Sequence, residues 1–538
     1  MTYPRAALEM ASAALVASRP RLQAILVAAL VGLAAGLATV AFREAFGALQ
    51  TLIFGGRLDE LGDLAATVPA AVLVSAPALG GLLTGLLCWR WLPGRRPHGV
   101  PDAIEAAALR GSQLPIGSGL AAAAASVVSL GTGASVGREG PMIHLGATLG
   151  SWLTRKLRLP QAFARRMLAC GAAAGVAASF NAPIAGVIFA VEVVVGRYTL
   201  HTFAPIVVAS VAGTVVSRLV YGESSAFTIP PVEITSYWEL PAFALAGVAG
   251  ALVTLTLIRT VGLVANAFDS LHVPAWLRPA FAGLGVGLVA LLAPQVLGVG
   301  YGTTSAVLSS ELTLGLLAAL LLAKLLATGL SLGGGLAGGI FSPSLMLGAL
   351  TGSLLGIAAA MLYPGHASPH AVYTLIGMGA VAGAALGSPL STTLIVLELT
   401  GNYPVTLAVM LATVLSSVIV NDLWGHSFFS WLLSRRGIDL RMRRVDVLLQ
   451  QERLEHLERR PLQGAPPASL ARLPADATLA TALEELRKAP GQPVVVYQGE
   501  GDQSSEGLIT AEEIMRAYQR VLDRVYAEEH GEIRPGTG

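Results

Sequence analysis

Long apolar segments, cut at intervals by glycine and proline, run through the first 434 residues of the chain. Charged side chains are rare among them: the chain has 35 basic and 33 acidic residues, and 32 of these 68 lie in the last 104 positions. Charged residues make up 13% of the whole sequence, whereas a soluble domain carries about 25%. The sequence therefore predicts a membrane-embedded region followed by a water-soluble tail.

The first apolar run, residues 25–42, is predicted to be a membrane helix, because no small-residue cleavage site of a signal peptide follows it. The later runs are residues 68–91, 117–131, 171–196, 241–264, 279–297, 314–332 and 373–399. Several of them are too short or too interrupted for a simple spanning helix of about 20 residues. Unpaired backbone at membrane depth is stable only where protein or a water-filled cavity receives it. Broken or re-entrant helices that line a transport path are therefore expected.

Arginines flank the apolar region on both sides. Arg19 and Arg21 precede the first predicted helix. The arginines that follow the last apolar run are Arg435, Arg436, Arg441, Arg443 and Arg444. Because Lys and Arg concentrate on the cytoplasmic side of membrane proteins, both termini are predicted to lie in the cytoplasm.

Several function classes are excluded by composition and by missing motifs. The net charge of +2 is too small to indicate a nucleic-acid partner. Cys88 and Cys170 both lie in apolar runs, so neither a disulfide framework nor a zinc site is expected, and no cofactor is predicted. A membrane enzyme is a remote alternative, since the sequence has neither an HExxH motif nor paired intramembrane aspartates.

The membrane region contains an internal repeat. Its first copy has Gly137, Pro141, Gly146 and Gly150, and its second has Gly339, Pro343, Gly348 and Gly352, at an offset of 202. A second pair, Pro183 with Glu192 and Pro389 with Glu398, recurs at an offset of 206. Basic residues follow the first copy between positions 155 and 166, whereas 353–368 contain none, so matching ends face opposite sides of the membrane. The pattern predicts an all-α membrane protein of two inverted repeats, about 21–222 and 236–436.

An ionic pair stands in the first copy, within the stretch SVGREGPMIHLG at 135–146. A helix that begins inside the membrane exposes unpaired N–H groups and about half a positive charge, and glycine lets an ion approach them. Such a site binds an anion. The carboxylate of Glu139 would then compete with that anion for the same N–H groups and act as a gate. A structural ion pair with Arg138 is the alternative role of Glu139.

Three motifs carry a resemblance to a known family: GREGP at 137–141, GGIFSP at 338–343 and GVP at 99–101, with FNAP at 180–183. In order and spacing they resemble the anion-site signatures of the CLC chloride channels and proton-coupled chloride transporters, over about residues 20–436. The resemblance implies a homodimer in the bacterial inner membrane, one chloride path per subunit and Glu139 as the external gate. It assigns to the anion site His98, Gly99, Val100, Pro101, Gly137, Arg138, Gly140, Gly339, Ile340, Phe341 and Phe429.

Two side-chain donors of the family's anion site are replaced here. His98 stands where the first motif has a serine whose hydroxyl contacts the central anion, and Phe429 stands where the last membrane helix has a tyrosine. His98 has two open roles: it contacts the anion or handles protons, or it is a neutral donor to the backbone. Backbone amides must therefore carry more of the anion binding.

A third departure concerns proton transfer. Transporters of the family often carry two adjacent glutamates after FNAP, of which the second accepts the internal proton, and here Glu192 is followed by Val193. Glu192 and its counterpart Glu398 are predicted to serve helix packing. The loss of the relay residue favours a passive channel, with a proton-coupled antiporter as the alternative.

The sequence of the tail predicts a small α/β domain at 470–525. Its elements are a helix, a strand at 494–497, a polar turn, a strand at 508–510 and a second helix. It resembles a single cystathionine-β-synthase-type (CBS) repeat, which implies adenine-nucleotide binding through Thr510 and Glu513. A purely structural dimerisation module is the alternative. The remaining parts are predicted to be a cytoplasmic segment at 1–20, a linker at 437–469 with a charged helix at 451–460, and a flexible tail at 526–538.

Overall fold

The structure is a computed structural model that describes residues 20–58, 68–159, 161–196, 200–223, 227–364, 366–438, 444–461, 467, 470–498 and 505–530. Apart from residues 160–162, a larger compact unit runs to Leu432 and a smaller one begins at Leu433. Outside the described residues lie Arg19, Arg441 and Arg443, most of the predicted N-terminal segment, the polar turn of the tail and the chain from residue 531 onward.

Helices of very different length make up the first half of the larger unit. They are α1 (Pro20–Phe54), α2 (Ala70–Trp91), α3 (Val100–Ala108), α4 (Ile116–Gly131), α5 (Glu139–Lys156), α6 (Gln161–Phe180), α7 (Pro183–Phe189) and α8 (Leu200–Tyr221). A π-helical turn, Ala190–Val195, extends α7. The 9 residues of α3 reach only about 14 Å, less than half of a hydrocarbon core of about 30 Å, so this helix cannot cross the membrane.

The second half repeats the order of long and short helices. They are α9 (Leu240–Ser270), α10 (Arg278–Leu292), α11 (Tyr301–Leu308), α12 (Leu314–Gly333), α13 (Phe341–Leu362), α14 (His370–Leu386), α15 (Pro389–Thr400), α16 (Tyr403–Trp424) and α17 (Phe428–Ser434). Among the described residues, 7 helices are long and apolar enough to cross a membrane. The all-α membrane fold is confirmed.

Two apolar runs that the sequence marks as single segments are each broken in the structure. The run at 171–196 breaks after Asn181 (φ 58°), and the run at 373–399 breaks at Gly387 (φ 68°). A left-handed residue ends a helix, and the proline that follows two residues later, Pro183 or Pro389, starts the next one because its fixed φ suits a first helical turn.

The two halves cross their central helices in the same way. Where α5 crosses α6, a Cβ atom on Gly146 would lie 2.2 Å from the carbonyl oxygen of Gly171. Where α13 crosses α14, a Cβ atom on Gly348 would lie 2.3 Å from the carbonyl oxygen of Gly377. Only glycine permits this backbone approach. The sequence repeat is therefore also a repeat of the helix crossings.

Glu192 and Glu398 tie the two halves together. The carboxylate of Glu192 accepts hydrogen bonds from the N–H groups of Leu390 (3.1 Å) and Ser391 (2.9 Å) at the start of α15. The carboxylate of Glu398 accepts from the N–H groups of Ile184 (2.9 Å) and Ala185 (2.8 Å) at the start of α7. Each glutamate therefore caps the positive end of a helix in the other half, which is a packing role.

The smaller unit has its own mixed sheet and hydrophobic core. Its elements are α18 (Arg444–Gln451), β1 (Arg460–Pro461), β2 (Arg472–Pro474), α19 (Leu479–Lys488), β3 (Val494–Gln498), β4 (Ser505–Ile509) and α20 (Ala511–His530), and the strand order is β1-β4-β3-β2. Strands β2 and β3 are parallel and the other pairs antiparallel. The helix predicted at 451–460 is wrong: α18 ends at Gln451, and Leu449, Leu454 and Leu457 are buried in the core. These leucines therefore join the predicted linker to the fold.

Candidate anion path

The starts of α5 and α13 meet in the interior of the larger unit. Gly137 and Gly339 form an isolated antiparallel bridge, with N···O distances of 2.6 and 2.7 Å. A Cβ atom on Gly140 would lie 3.0 Å from the Cα atom of Gly339. The two segments run in opposite directions, and each leads into a buried helix. The positive N-terminal ends of these two helices therefore lie close together. Gly137 and Gly339 are both predicted site residues, and the structure brings them together.

Glu139 is the first residue of α5, and its side chain is completely buried. The hydroxyl of Tyr301 donates to Oε1 of this carboxylate at 2.6 Å, and the hydroxyl of Ser342 donates to Oε2. Both oxygens thus have a donor from the second half of the chain. Sequence reasoning singled out Glu139 but neither of these hydroxyls.

Arg138 lies beside the carboxylate and is also buried. Its Nε atom is 3.7 Å from Oε1 of Glu139, and its guanidinium group lies over the ring of Tyr301 at 4.5 Å. The ring of Phe227 also contacts Tyr301, with the centroids 4.6 Å apart. The ion pair proposed as an alternative role of Glu139 is therefore present, in addition to the two hydroxyl contacts.

Ile340 and Phe341 begin α13 and are both buried. The ring of Phe341 packs against Phe180 at 4.8 Å and against Phe189 at 6.3 Å. Phe180 belongs to the FNAP motif, so that motif fixes the orientation of the segment that carries the predicted anion-binding amides.

The GVP segment begins α3. Val100 and Pro101 are buried in its first turn, and the N–H group of Gly99 donates to Oδ2 of Asp102 at 2.9 Å. Oδ1 of Asp102 accepts from Arg96 at 2.7 Å. One amide of the predicted anion site, that of Gly99, is therefore used in capping α3.

His98 is half-buried next to that cap. Its Nε2 atom lies 3.0 Å from the carbonyl oxygen of Pro93, which is the backbone contact that one of its two predicted roles requires. The ring of His144, a residue to which the sequence assigns no role, packs nearly perpendicular to His98 at 5.8 Å. The Nε2 atom of His144 is buried without a hydrogen-bond partner. Two titratable rings thus meet beside the start of α3.

The remaining predicted residues lie on other elements. Val193 is half-buried in the π-helical turn that packs against α3. Phe429 is buried in α17, where its ring contacts that of Phe428 at 6.2 Å. Thr510 accepts a hydrogen bond from the N–H group of Glu513 at 3.3 Å, and Glu513 pairs with Arg520 at 3.0 Å. Both groups predicted for nucleotide binding thus have structural contacts in α20.

Lys324 is a buried cation that sequence reasoning missed. It is fully buried in α12, and its Nζ atom donates to the carbonyl oxygens of Val296 (3.0 Å) and Gly298 (3.2 Å). A single lysine inside the apolar run 314–332 is a signal that could have found it, because intramembrane charges are costly and mark functional sites.

Broken helices whose N-termini converge around a buried carboxylate define a membrane protein that transports anions. A family model described as voltage gated chloride channel matches residues 80–421, and the chain belongs to this family, the CLC proteins. As a member of the family it transports chloride through a multi-pass membrane domain and is not an enzyme.

Relatives and solved structures match most of the chain. It is 35% identical over 420 residues to a ClcB-like protein of Ralstonia nicotianae, covering 77% of this chain and 97% of that one. It is 32% identical over 409 residues to the voltage-gated ClC-type chloride channel ClcB of Escherichia coli, covering 75% and 97%. A slow cyanobacterial Cl⁻/H⁺ antiporter shares 26% identity with a TM-score of 0.68, over 78% and 98% of the two chains. A eukaryotic CLC transporter shares the fold at 21% identity and a TM-score of 0.64, over 93% and 89%.

Proposed function

We propose that the chain is a passive chloride channel whose external gate is Glu139. The observation that carries the gate is the position of the Glu139 carboxylate, which is fully buried at the junction of the α5 and α13 starts, with a hydroxyl donor on each oxygen. The passive part of the proposal rests on Val193, which has no titratable group at the position of the family's internal proton acceptor. An anion at this junction needs the same positively polarised donors. Carboxylate and anion therefore exclude one another, and protonation of Glu139 removes the charge that holds it there.

The anion is held by weak, reversible contacts. Conduction requires sites that release the ion as readily as they bind it. The N–H groups of Gly137 and Gly339 each donate to the carbonyl oxygen of the other residue across the bridge, so we assign the anion to the amides of Ile340 and Phe341 at the start of α13. Helical N–H groups at such positions have no partner within their own helix.

The gate is tested by chloride flux from vesicles at a series of external pH values. Glu139→Gln and Glu139→Ala remove the competing charge, so flux should become nearly independent of external pH and should exceed wild-type flux at neutral pH. Glu311→Gln alters an exposed glutamate and serves as the matched control, with wild-type pH dependence expected. Retention of the wild-type pH dependence in both Glu139 variants would refute the gate.

Proton-coupled chloride antiport is the second candidate, and the paired rings of His98 and His144 favour it. The centroids of the two rings are 5.8 Å apart. The rings lie beside α3, and α3 packs against the π-helical turn that contains Val193. An imidazole ring can take up and release a proton, which the side chain of Val193 cannot. Glu192 is a poor substitute, since its carboxylate caps α15.

The reversal potential of the reconstituted protein in a pH gradient, at fixed chloride, separates the two candidates. A channel gives a reversal potential that follows chloride alone. Movement of chloride against its gradient, driven by protons, would instead establish the antiporter. In that case His98→Ala should abolish coupling and Glu192→Gln should retain it.

The assembly and location follow the family resemblance as proposals. We propose a homodimer with one anion path per subunit, in the bacterial inner membrane with both termini in the cytoplasm. Cross-linking in native membranes tests the dimer: a single dimeric species is expected, and monomers alone would contradict it. Reporter fusions at each terminus test the topology, with cytoplasmic activity expected for both.

For the tail we propose a structural CBS-like module in preference to a nucleotide sensor. The strand-helix-strand-strand-helix order of β2, α19, β3, β4 and α20 supports the CBS-like assignment. Thr510 and Glu513 cap and brace α20, which favours the structural role. Titration of the full chain with ATP should produce no heat of binding. A saturable signal that Glu513→Gln removes would establish the nucleotide site instead.

A further inference from the structure

A sharp turn ahead of α11 directs Tyr301 toward the gate. Gly300 precedes the helix with φ 89°, a left-handed conformation that glycine adopts without cost. A Cβ atom at this position would lie 2.5 Å from the sulfur of Met346 and 3.4 Å from Nζ of Lys324. The turn is therefore closely packed against α12 and α13.

Lys324 fixes the segment that leads into this turn. Its two acceptors, the carbonyl oxygens of Val296 and Gly298, lie at 3.0 and 3.2 Å on the chain just before Gly300. A fully buried ammonium group is stable at membrane depth only with such partners. Loss of the lysine would release the segment from α12 and, with it, the position of Tyr301.

The hydroxyl of Tyr301 has little freedom. Its ring contacts the guanidinium group of Arg138 (4.5 Å) and the ring of Phe227 (4.6 Å). From this position the hydroxyl donates to Oε1 of Glu139 at 2.6 Å, while Ser342 donates to Oε2. Hydroxyl donors hydrogen-bond more strongly to the ionised form of a carboxyl group than to its neutral form.

Among the described residues, the helices around Glu139 carry the following charged groups. α1 contributes Arg43, which interacts electrostatically with Arg138 and Tyr301, and Glu44, which pairs with Arg57. α3 contributes Asp102 and Glu105, which pair with Arg96 and Arg110. α4, α11 and α13 contain no charged side chain, and α12 contributes Lys324. Removal of a hydroxyl from Tyr301 or Ser342 changes none of these charges.

We propose that Tyr301 and Ser342 form a hydroxyl latch that holds Glu139 in its closed position, and that Lys324 is a positioning residue that acts through Tyr301. The inference deepens the proposed function, since it rests on Glu139 as the gate. Tyr301 and Ser342 set the external pH at which the gate opens. Lys324 holds Tyr301 in the position from which its hydroxyl donates to Glu139.

The latch is tested by the external pH of half-maximal chloride flux in Tyr301→Phe, Ser342→Ala and the double variant. Without donors the carboxylate takes up a proton more readily, so half-maximal flux should move to higher pH. The shift in the double variant should be about one unit, which is roughly a tenfold change in proton affinity. Tyr373→Phe is the matched control, because Tyr373 is buried and donates its hydroxyl to a different carboxylate, that of Glu239, at 2.7 Å.

The outcomes separate the latch from the gate. If Glu139→Gln abolishes the pH dependence but the double variant opens at the wild-type pH, the latch is wrong and the gate stands. If Glu139→Gln keeps the pH dependence, the gate itself is wrong. In a Glu139→Gln background the hydroxyl substitutions should have no effect on the pH profile.

A double-mutant cycle tests Lys324. Lys324→Met should shift half-maximal flux in the same direction as Tyr301→Phe, and the two together should shift it no further than Tyr301→Phe alone. Additive shifts would show that the lysine charge acts on Glu139 directly and would overturn the positioning role. Lys324→Arg provides a second test if Lys324→Met does not fold: it keeps the charge but not the fit to the two carbonyls, and a wild-type pH profile would overturn the positioning role.

Discussion

At Glu139 a carboxylate occupies the place where the helix starts favour an anion. The side chains that the resemblance assigns to anion binding offer little competition for it: Phe429 has no hydroxyl, and the Nε2 atom of His98 lies at the carbonyl oxygen of Pro93. The N–H group of Gly99 is engaged with Asp102. We therefore expect backbone amides to have the main share of chloride binding, which suits a site that must release its ion.

Chloride affinity should therefore be low. Wild-type protein is expected to bind chloride with a Kd of about a millimolar or weaker, which corresponds to about 4 kcal/mol. Phe429→Tyr restores a hydroxyl donor to a charged ligand and should tighten binding by roughly tenfold. Isothermal calorimetry measures both, with Phe428→Tyr at the neighbouring ring as the control. A micromolar Kd for the wild type would contradict this account.

Among the helices, the glycine crossings determine how closely the elements around the path can pack. Gly146 and Gly348 occupy matching positions where α5 meets α6 and α13 meets α14, and backbone fills the space that a side chain would need. The proposed anion path lies at the starts of α5 and α13. If a side chain forced two helices apart at a crossing, the backbone amides at the start of α5 or α13 would also move.

Gly146→Ala and Gly348→Ala should therefore destabilise the protein by similar amounts. The added Cβ atoms would lie 2.2 and 2.3 Å from a carbonyl oxygen, and such overpacking costs about 1–3 kcal/mol. Gly117→Ala in α4 is the matched control, since no atom lies within 4 Å of the added carbon, and it should be neutral or stabilising by up to about 1 kcal/mol. Thermal unfolding in detergent measures the three variants; equal midpoints would refute the crossing argument.

The molecule as a whole consists of two units with separate cores. The larger is held together across its halves by the Gly137–Gly339 bridge and by the exchanged caps of Glu192 and Glu398. The smaller surrounds its sheet with its own apolar side chains, drawn from α18 to α20. Independent cores of this kind predict independent folding.

Residues 433–538, expressed alone, should unfold in a single cooperative transition. Ile514→Ala removes a fully buried side chain from this core and should cost about 2–5 kcal/mol. Met515→Ala, at a neighbouring exposed position, should change stability by no more than about 0.5 kcal/mol. Chemical denaturation followed by circular dichroism measures the isolated unit. A non-cooperative transition in the wild-type segment would contradict an independent core.

Features with a local physical cause are predictable from the sequence. A long apolar run must enter a membrane, motifs that recur at a fixed offset indicate a repeat, and a carboxylate between glycines inside an apolar run needs a function. These rules lead to the membrane fold, to the repeat and to Glu139, whereas the helix breaks before Pro183 and Pro389 were found only in the structure. The glutamate pair was assigned to packing, but its partners at the opposite helix starts were not predicted. The helix before β1 was misplaced, because the buried leucines 449, 454 and 457 do not follow one helical period.

By itself, the sequence determined the class of membrane protein and the inverted repeat and predicted Glu139 as the gate, since short motifs and their recurrence along the chain are visible without the fold. Only the tertiary structure decided which groups contact the Glu139 carboxylate. Tyr301 lies 162 residues from Glu139 in sequence and Ser342 lies 203 residues away. No local sequence pattern indicates which group the hydroxyl of a tyrosine or serine will contact. Such contacts arise only when the two halves pack and bring the starts of α5 and α13 together.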